Sequence, residues 1–112
     1  MDKAFKQAYQ KEIDRVVDLL VAKYQPEKII LFGSAAKDNP TPESDIDLLV
    51  VADSSQNYRQ RAQEAALLCA SFIPKDIFVL TPTELDQAVA ENRFLLTNEI
   101  LPKGKILYEK SH

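Results

Sequence analysis

The chain has 112 residues, of which 46% are hydrophobic and 28% are charged, and its formal net charge is −3. This length predicts one domain over residues 1–112, and the composition excludes a multidomain enzyme, a disordered tail and a collagen-like repeat. Proteins that grip nucleic acid neutralise its phosphates with clustered Lys and Arg. The acidic balance therefore argues against nucleic acid as the main substrate.

The distribution of cysteine and apolar residues bears on location. A single cysteine, Cys69, cannot form an internal disulfide, so no oxidising compartment is required. The longest apolar runs fall far short of the ~18–20 residues that span a bilayer, and the N-terminal residues lack the apolar core of a signal peptide. We expect a cytoplasmic protein without a membrane partner.

The first two predicted elements are a helix and a strand. Apolar residues recur at steps of three and four over residues 5–24, which predicts an amphipathic helix that ends before Pro26. Residues 28–32 are bulky or β-branched and stop at Gly33, which predicts a short buried strand.

A loop, a second strand and a second helix follow. Two prolines within residues 38–44 predict a loop, and residues 45–51 read as a strand. Ser54 or Ser55 is expected to cap a helix that runs to about residue 72. The side chains expected on its buried side are Tyr58, Ala62, Ala65, Ala66, Leu68, Cys69 and Phe72.

The last part of the chain again alternates strand and helix. Residues 75–80 form a predicted strand, and residues 81–84 (Thr-Pro-Thr-Glu) have the pattern of a helix capping box. We expect one helix over about 82–91, a second helical stretch near 94–101, and a final strand at 106–108.

This alternation predicts an α/β or α+β domain, with a small mixed sheet flanked by helices. The second and third strands are joined through a helix and should be parallel, whereas the first two are joined by a loop and should be antiparallel. That topology brings several polar residues to one edge of the sheet: Gly33, Ser34, Asp45, Asp47 and Asp76.

The residues at this edge suit chemistry on phosphates. Asp45 and Asp47 lie two apart on a strand, so both carboxylates face the same side and repel each other unless a cation lies between them. Mg²⁺ prefers such oxygen ligands together with substrate phosphates, and Gly33 allows close approach of a ligand. Taken alone, each feature is more often a solvated strand end or a turn; their joint placement favours a site.

A compound motif connects these residues with a known family. Residues 31–34 (Leu-Phe-Gly-Ser) end a hydrophobic strand, and ten residues separate Ser34 from the Asp-Ile-Asp of residues 45–47. This pattern resembles the signature of the DNA polymerase β-like nucleotidyltransferase superfamily. The short chain is similar to its minimal nucleotidyltransferase (MNT) branch, the antitoxin half of HEPN–MNT toxin–antitoxin pairs.

The resemblance implies roles for three carboxylates. Asp45 and Asp47 would be metal ligands, and Asp76 would be the third carboxylate, which helps to bind metal and serves as base for the attacking hydroxyl. One or two Mg²⁺ ions would be used, with in-line attack on the α-phosphate of ATP and loss of pyrophosphate.

The resemblance also implies that Gly33 and Ser34 hold the nucleotide phosphates. Many relatives continue with Arg-Gly where this chain has Lys37 and Asp38. Lys37 keeps the positive charge without the planar fork of arginine, so it is equally acceptable as a phosphate ligand and as a surface lysine. Asp38 either weakens triphosphate binding or points to solvent, and the Asn and Pro that follow it favour solvent.

Three functions remain open from the sequence. The first is a Mg²⁺-dependent adenylyltransferase that modifies a hydroxyl, such as that of a tyrosine, on a HEPN ribonuclease toxin with which it forms a hetero-oligomer. The second is a non-catalytic antitoxin that neutralises its partner by occlusion. The third, a small-molecule transferase, is disfavoured because such relatives carry an additional helical domain.

Overall fold

The computed structural model of the chain describes residues 3–33, 36 and 45–111. The predicted loop at 38–44, together with Ser34 and Lys37, lies outside these residues. In chain order the elements are helix α1 (Lys3–Tyr24), strands β1 (Lys28–Phe32) and β2 (Ile46–Val51), helix α2 (Tyr58–Leu68), strand β3 (Lys75–Leu80), helix α3 (Pro82–Ala90), a π-helix (Leu95–Ile100), helix α4 (Leu101–Lys103) and strand β4 (Lys105–Glu109).

The four strands form one mixed sheet in the order β3-β2-β1-β4. β2 and β3 are parallel, and β1 is antiparallel to both β2 and β4, as the lengths of the connections predict. Helices flank the sheet, so the predicted fold class is confirmed. No helix in the described part of the chain is long and apolar enough to cross a membrane.

Each face of the sheet packs against its own helices. Alternation along β2 sends Leu48 and Val50 into a core with α1 and α2, and sends Leu49 and Val51 into a second core with Leu96 of the π-helix. Ile100 and, at its margin, residues of α3 complete the second core. The face of β2 that carries Leu49 also carries Asp47, so the π-helix and α3 lie on the side of the sheet where the carboxylates project.

Helix α2 begins later and ends earlier than predicted. Its cap is Asn57, whose Oδ1 accepts the N–H of Gln60 at 2.9 Å, while Gln60 Oε1 accepts the N–H of Asn57 at 3.1 Å. This reciprocal pair satisfies two free amide groups at once, which a single serine at 54 or 55 does not. The helix ends at Leu68 rather than near residue 72.

The buried side of α2 also differs from the prediction. Ala65 and the Cys69 thiol are buried as expected, and burial raises the pKa of Cys69. Tyr58, Ala66 and Phe72 are exposed, contrary to the prediction. The residue that replaces them is Arg61, which is only 1% exposed and donates to both carboxylate oxygens of Glu84 on α3, at 2.7 Å each.

An ion pair fixes the start of β3 against α1. Lys75 Nζ lies 2.6 Å from Glu12 Oε2, and both side chains are at least nine-tenths buried. Hydrogen bonds from Arg15, and further from Lys75 and Ser71, outweigh burial and lower the pKa of Glu12 to about 2. Because Asp76 follows Lys75 directly, this contact helps to set the position of the strand that carries the third carboxylate.

Candidate active site

The pairing of β2 with β3 brings the predicted carboxylates together. Asp47 is the register partner of Asp76 in the parallel ladder, so the two residues lie on adjacent strands about 4.8 Å apart and on the same face. Asp45 precedes Asp47 by two positions, immediately before β2 begins. The convergence predicted from the topology is therefore present for Asp45, Asp47 and Asp76.

The pKa of Asp47 is shifted by burial and by the neighbouring carboxylates. Its side chain is half-buried, and burial together with the charges of Asp76 and Asp45 raises the pKa of Asp47 to about 6. An aspartate with a raised pKa is ionised at neutral pH only at a cost to folding. Residues with shifted pKa values of this kind are common in catalytic centres, where charged groups are arranged to interact with a bound ligand.

Gly33 approaches this carboxylate from β1. Phe32 pairs with Asp47 in the antiparallel ladder, so Gly33 follows at the end of the strand beside it. Gly33 has φ +73°, and a Cβ at this position would collide with Oδ2 of Asp47. Position 33 therefore needs a residue that readily adopts a positive φ and has no Cβ, and glycine meets both conditions. The phosphate-binding roles assigned to Ser34 and Lys37 remain predictions, because these residues are not described.

A cavity of about 380 Å³ opens beside Asp47 and Gly33. The other residues that line it are Phe32, Ala36, Leu95, Glu99 and Lys103. Glu99 and Lys103 were not singled out from the sequence, although their spacing of four on a helix is the pattern of an ion pair. Lys103 Nζ indeed lies 2.9 Å from Glu99 Oε2.

The carboxylate oxygens at this edge are the kind of ligand that Mg²⁺ prefers. Among the described residues, no group of three or more His, Cys, Asp or Glu side chains is arranged so that it could hold a metal ion. Mg²⁺ is typically held by one or two carboxylates, with water and substrate phosphates completing its shell. The repulsion at Asp47 is what such a cation relieves. The residues therefore fit a metal that binds together with a nucleotide, and their roles as ligands remain predictions.

Comparison with known proteins identifies the family. The family described as "Polymerase beta, Nucleotidyltransferase" matches residues 14–112. The chain belongs to this nucleotidyltransferase family. A relative from Methanocaldococcus jannaschii, named "Putative protein adenylyltransferase MJ0604", is 33% identical over 109 residues, which cover 88% of this chain and 97% of the relative. No solved structure matches the chain.

The two comparisons confirm the resemblance to an MNT-type nucleotidyltransferase. The protein is an enzyme of that class, built on the mixed sheet described above. In this nucleotidyltransferase the pairing of Phe32 with Asp47 brings Gly33 and Asp47 together, although they lie far apart in the sequence.

We expect Gly33→Ala to destabilise the nucleotidyltransferase and to impair nucleotide binding. A left-handed backbone angle costs an L-residue roughly 1–2 kcal/mol, and the new methyl group displaces the carboxylate of Asp47. Thermal unfolding of Gly33→Ala with and without Asp47→Ala separates the two causes. The cost of the glycine change should be smaller in the Asp47→Ala background. Equal costs in both backgrounds would show that contact with Asp47 contributes nothing.

We expect Asp47→Asn to stabilise the metal-free nucleotidyltransferase above pH 6. The folded pKa of Asp47, about 6, exceeds its ordinary value of 3.8, so the folded state binds more protons between these values. The stability of the wild type therefore falls as the pH rises through this window. The difference in Tm between variant and wild type should vanish well below pH 3.8 and be largest near pH 8.

Asp86→Asn, an exposed change on α3, controls for the loss of one negative charge. Added Mg²⁺ should raise the Tm of the wild type and leave that of Asp47→Asn nearly unchanged. An Asp47→Asn variant that melts at or below the wild-type temperature at pH 8 would contradict the repulsion inferred at this carboxylate.

Proposed function

We propose that this nucleotidyltransferase transfers AMP from ATP to a tyrosine hydroxyl of a HEPN ribonuclease and silences it, acting as the antitoxin of the pair. The observation that carries the proposal is the pairing of Asp47 with Asp76 on adjacent strands, beside Gly33 and an open cavity. Asp45, Asp47 and Asp76 lie at the same edge of the sheet as this cavity, which supports roles for them in binding a metal and the phosphates of a nucleotide.

The reaction balances as a substitution at phosphorus. The acceptor oxygen forms a bond to the α-phosphorus of ATP, the bond from that phosphorus to the oxygen bridging to the β-phosphate breaks, and pyrophosphate leaves. Asp76 accepts the proton of the attacking hydroxyl. Asp45 and Asp47 would hold Mg²⁺, which supplies charge neutralisation on the phosphates when bound.

Two observations support a protein as acceptor. The name of the relative from M. jannaschii describes an adenylyltransferase that acts on protein. In addition, Leu95, which lines the cavity, is 50% exposed, and Phe94, which precedes it in the chain, is 69% exposed. A macromolecular acceptor can cover such side chains, whereas a small hydroxylated substrate leaves them in water.

The competing proposal is an antitoxin that acts by occlusion alone. In a protein that acts by binding alone, nothing would favour keeping Asp47 next to two other carboxylates that repel it. Asp45, Asp47 and Asp76 are nevertheless all present at this site. The retained cost at Asp47 therefore favours the enzyme over the occluding module.

The test uses purified nucleotidyltransferase, Mg²⁺, a HEPN ribonuclease from the same organism, and ATP labelled at either the α- or the γ-phosphate. AMP transfer predicts that the α-label remains on the ribonuclease and the γ-label does not, with a mass increase of one AMP group on a tyrosine. Replacing that tyrosine by Phe should abolish labelling and leave the ribonuclease active.

Two results would overturn the proposal. Ribonuclease inhibited without label, in a stable complex that also forms when ATP is omitted, would establish occlusion. Retention of both labels would establish transfer of a larger phosphate group or tight binding of intact nucleotide. Chelation of divalent cations by EDTA should stop labelling, and labelling that persists in EDTA would exclude the metal.

A further inference from the structure

Among the described residues that line the cavity beside Asp47, negative charges outnumber positive ones. The described lining residues include two carboxylates, Asp47 and Glu99, and the single cation Lys103. Asp76 adds a further negative charge on the next strand. The triphosphate of ATP is itself strongly anionic, and Mg²⁺ offsets only part of that charge. A cation among these lining residues is therefore well suited to bind a phosphate group.

The backbone places Lys103 at the end of β1. Leu31 pairs with Lys105 in the antiparallel β1–β4 ladder, and Lys103, two residues before Lys105, lines the same cavity as Gly33. Gly104 secures this placement, because a Cβ there would meet the Leu31 carbonyl oxygen at 3.2 Å and would collide with the carbonyl oxygen of Ile100. Lys103 thus directly precedes a residue that packs closely against β1.

The side chain of Lys103 is free to exchange its partner. Its Nζ lies 2.9 Å from Glu99 Oε2, and the two side chains are 68% and 42% exposed. Exposed ion pairs at a spacing of four on a helix contribute little to stability, because water screens them. Glu99 therefore keeps the ammonium group beside the cavity without binding it strongly, and a phosphate oxygen can displace the carboxylate.

Given the proposed use of ATP, we propose that Lys103 binds the β- and γ-phosphates of the nucleotide and that Glu99 holds it in place when the cavity contains no nucleotide. Lys103 also stands in the last turn of α4, where a cation interacts favourably with the helix carbonyl groups. That structural role concerns stability alone. A role in stabilising the helix end would not make nucleotide affinity depend on the number of phosphates. A role in binding the β- and γ-phosphates would, so comparing the affinities for ATP, ADP and AMP separates the two roles.

Equilibrium binding of ATP, ADP and AMP in the presence of Mg²⁺, measured by calorimetry, tests the assignment. Lys103→Ala should weaken ATP binding by about tenfold, a typical loss for one charge-assisted phosphate contact, and should leave AMP binding unchanged. Lys103→Arg should keep most of the affinity for ATP. Glu99→Gln should tighten ATP binding, because the lysine no longer exchanges a carboxylate for the phosphate.

The matched control is Lys28→Ala, which removes a lysine paired with Glu109 at the other end of β1 and should not change any of the three affinities. Equal losses for ATP and AMP in Lys103→Ala, or no loss for ATP, would overturn the assignment of Lys103. A wild-type protein that binds none of the three nucleotides would overturn the proposed donor itself. If Lys103→Ala melts well below the wild type, Lys103→Gln provides the same comparison with most of the side-chain length retained.

Discussion

Replacing Asp45 and Asp47 together by Asn is expected to lower the rate of AMP transfer by about 10³-fold or more. Metal-assisted stabilisation of a phosphoryl transition state contributes several kcal/mol, and about 4 kcal/mol corresponds to this factor. The amides keep the shape of the carboxylates, so the fold should persist, and relief of the charge repulsion at Asp47 should raise the Tm. Loss of activity with a gain in stability is the combined signature that we expect.

The matched control carries the same change of charge at two exposed positions, Asp53→Asn with Asp86→Asn, and should retain full activity. Single-turnover measurement of AMP transfer, with Tm measured on the same samples, decides the outcome. A double variant that still transfers AMP at the wild-type rate would remove both carboxylates from the chemistry. A variant that is inactive but melts far below the wild type would show that they act through the fold.

Glu84→Gln is expected to produce a large loss of stability for a single conservative change. The amide oxygen of the new side chain can still accept the N–H of Thr81 in the capping box, so the helix cap is kept. The buried guanidinium of Arg61, however, loses the carboxylate that neutralises it. Breaking a buried pair costs about 3–5 kcal/mol; because 38% of the Glu84 side chain is exposed to water, we expect about 2–3 kcal/mol.

Acid should remove the same contribution from the wild type. Hydrogen bonds from Arg61 hold the pKa of Glu84 at about 2, below its ordinary value of 4.5. The pair therefore contributes fully above pH 4.5, and the contribution is lost as the pH falls from 4.5 towards 2. Urea unfolding at pH 7 and at pH 3 should show a smaller difference between Glu84→Gln and wild type at the lower pH.

Glu91→Gln is the matched control, since Glu91 pairs with Arg93 at the surface, where both side chains are more than two-fifths exposed. It should change the free energy of unfolding by less than about 0.5 kcal/mol. Adding Arg61→Met to Glu84→Gln removes the unpaired charge and should recover part of the loss. If Glu84→Gln and Glu91→Gln lower the free energy of unfolding equally, the buried charge of Arg61 does not need the carboxylate of Glu84.

The parts of the fold that follow from local chemistry could be predicted from the sequence. β1 was predicted at the residues where it occurs, because Pro26 ends the preceding helix and Gly33 ends the apolar run. The start of α3 was correct for a similar reason: Thr81 and Glu84 form the predicted capping box. The convergence of Asp45, Asp47 and Asp76 was also predictable, because a connection through a helix favours parallel strands and a connection through a loop favours antiparallel ones.

What could not be predicted depends on contacts between distant segments. Arg61 lies four residues before Ala65, on the same stripe of α2, but a buried arginine is acceptable only because Glu84 of another helix reaches it. Asn57 displaced the serines as cap through a reciprocal bond with Gln60. Lys103 is near Gly33 only through the pairing of β4 with β1, which a pattern within the helix cannot reveal.

The sheet order predicts that the two halves of the site differ in their resistance to local unfolding. The row of Asp47 and Asp76 belongs to the β2–α2–β3 crossover, whereas the wall that carries Glu99 and Lys103 is supplied by the end of the chain and docks on β1 through β4. β4 is an edge strand, and its detachment would move Lys103 away from the end of β1 and open the cavity beside Asp47, whereas β2 is paired on both sides, with β1 and with β3. Amide protons of β4 should therefore exchange with solvent before those of β2, and bound nucleotide should slow them most.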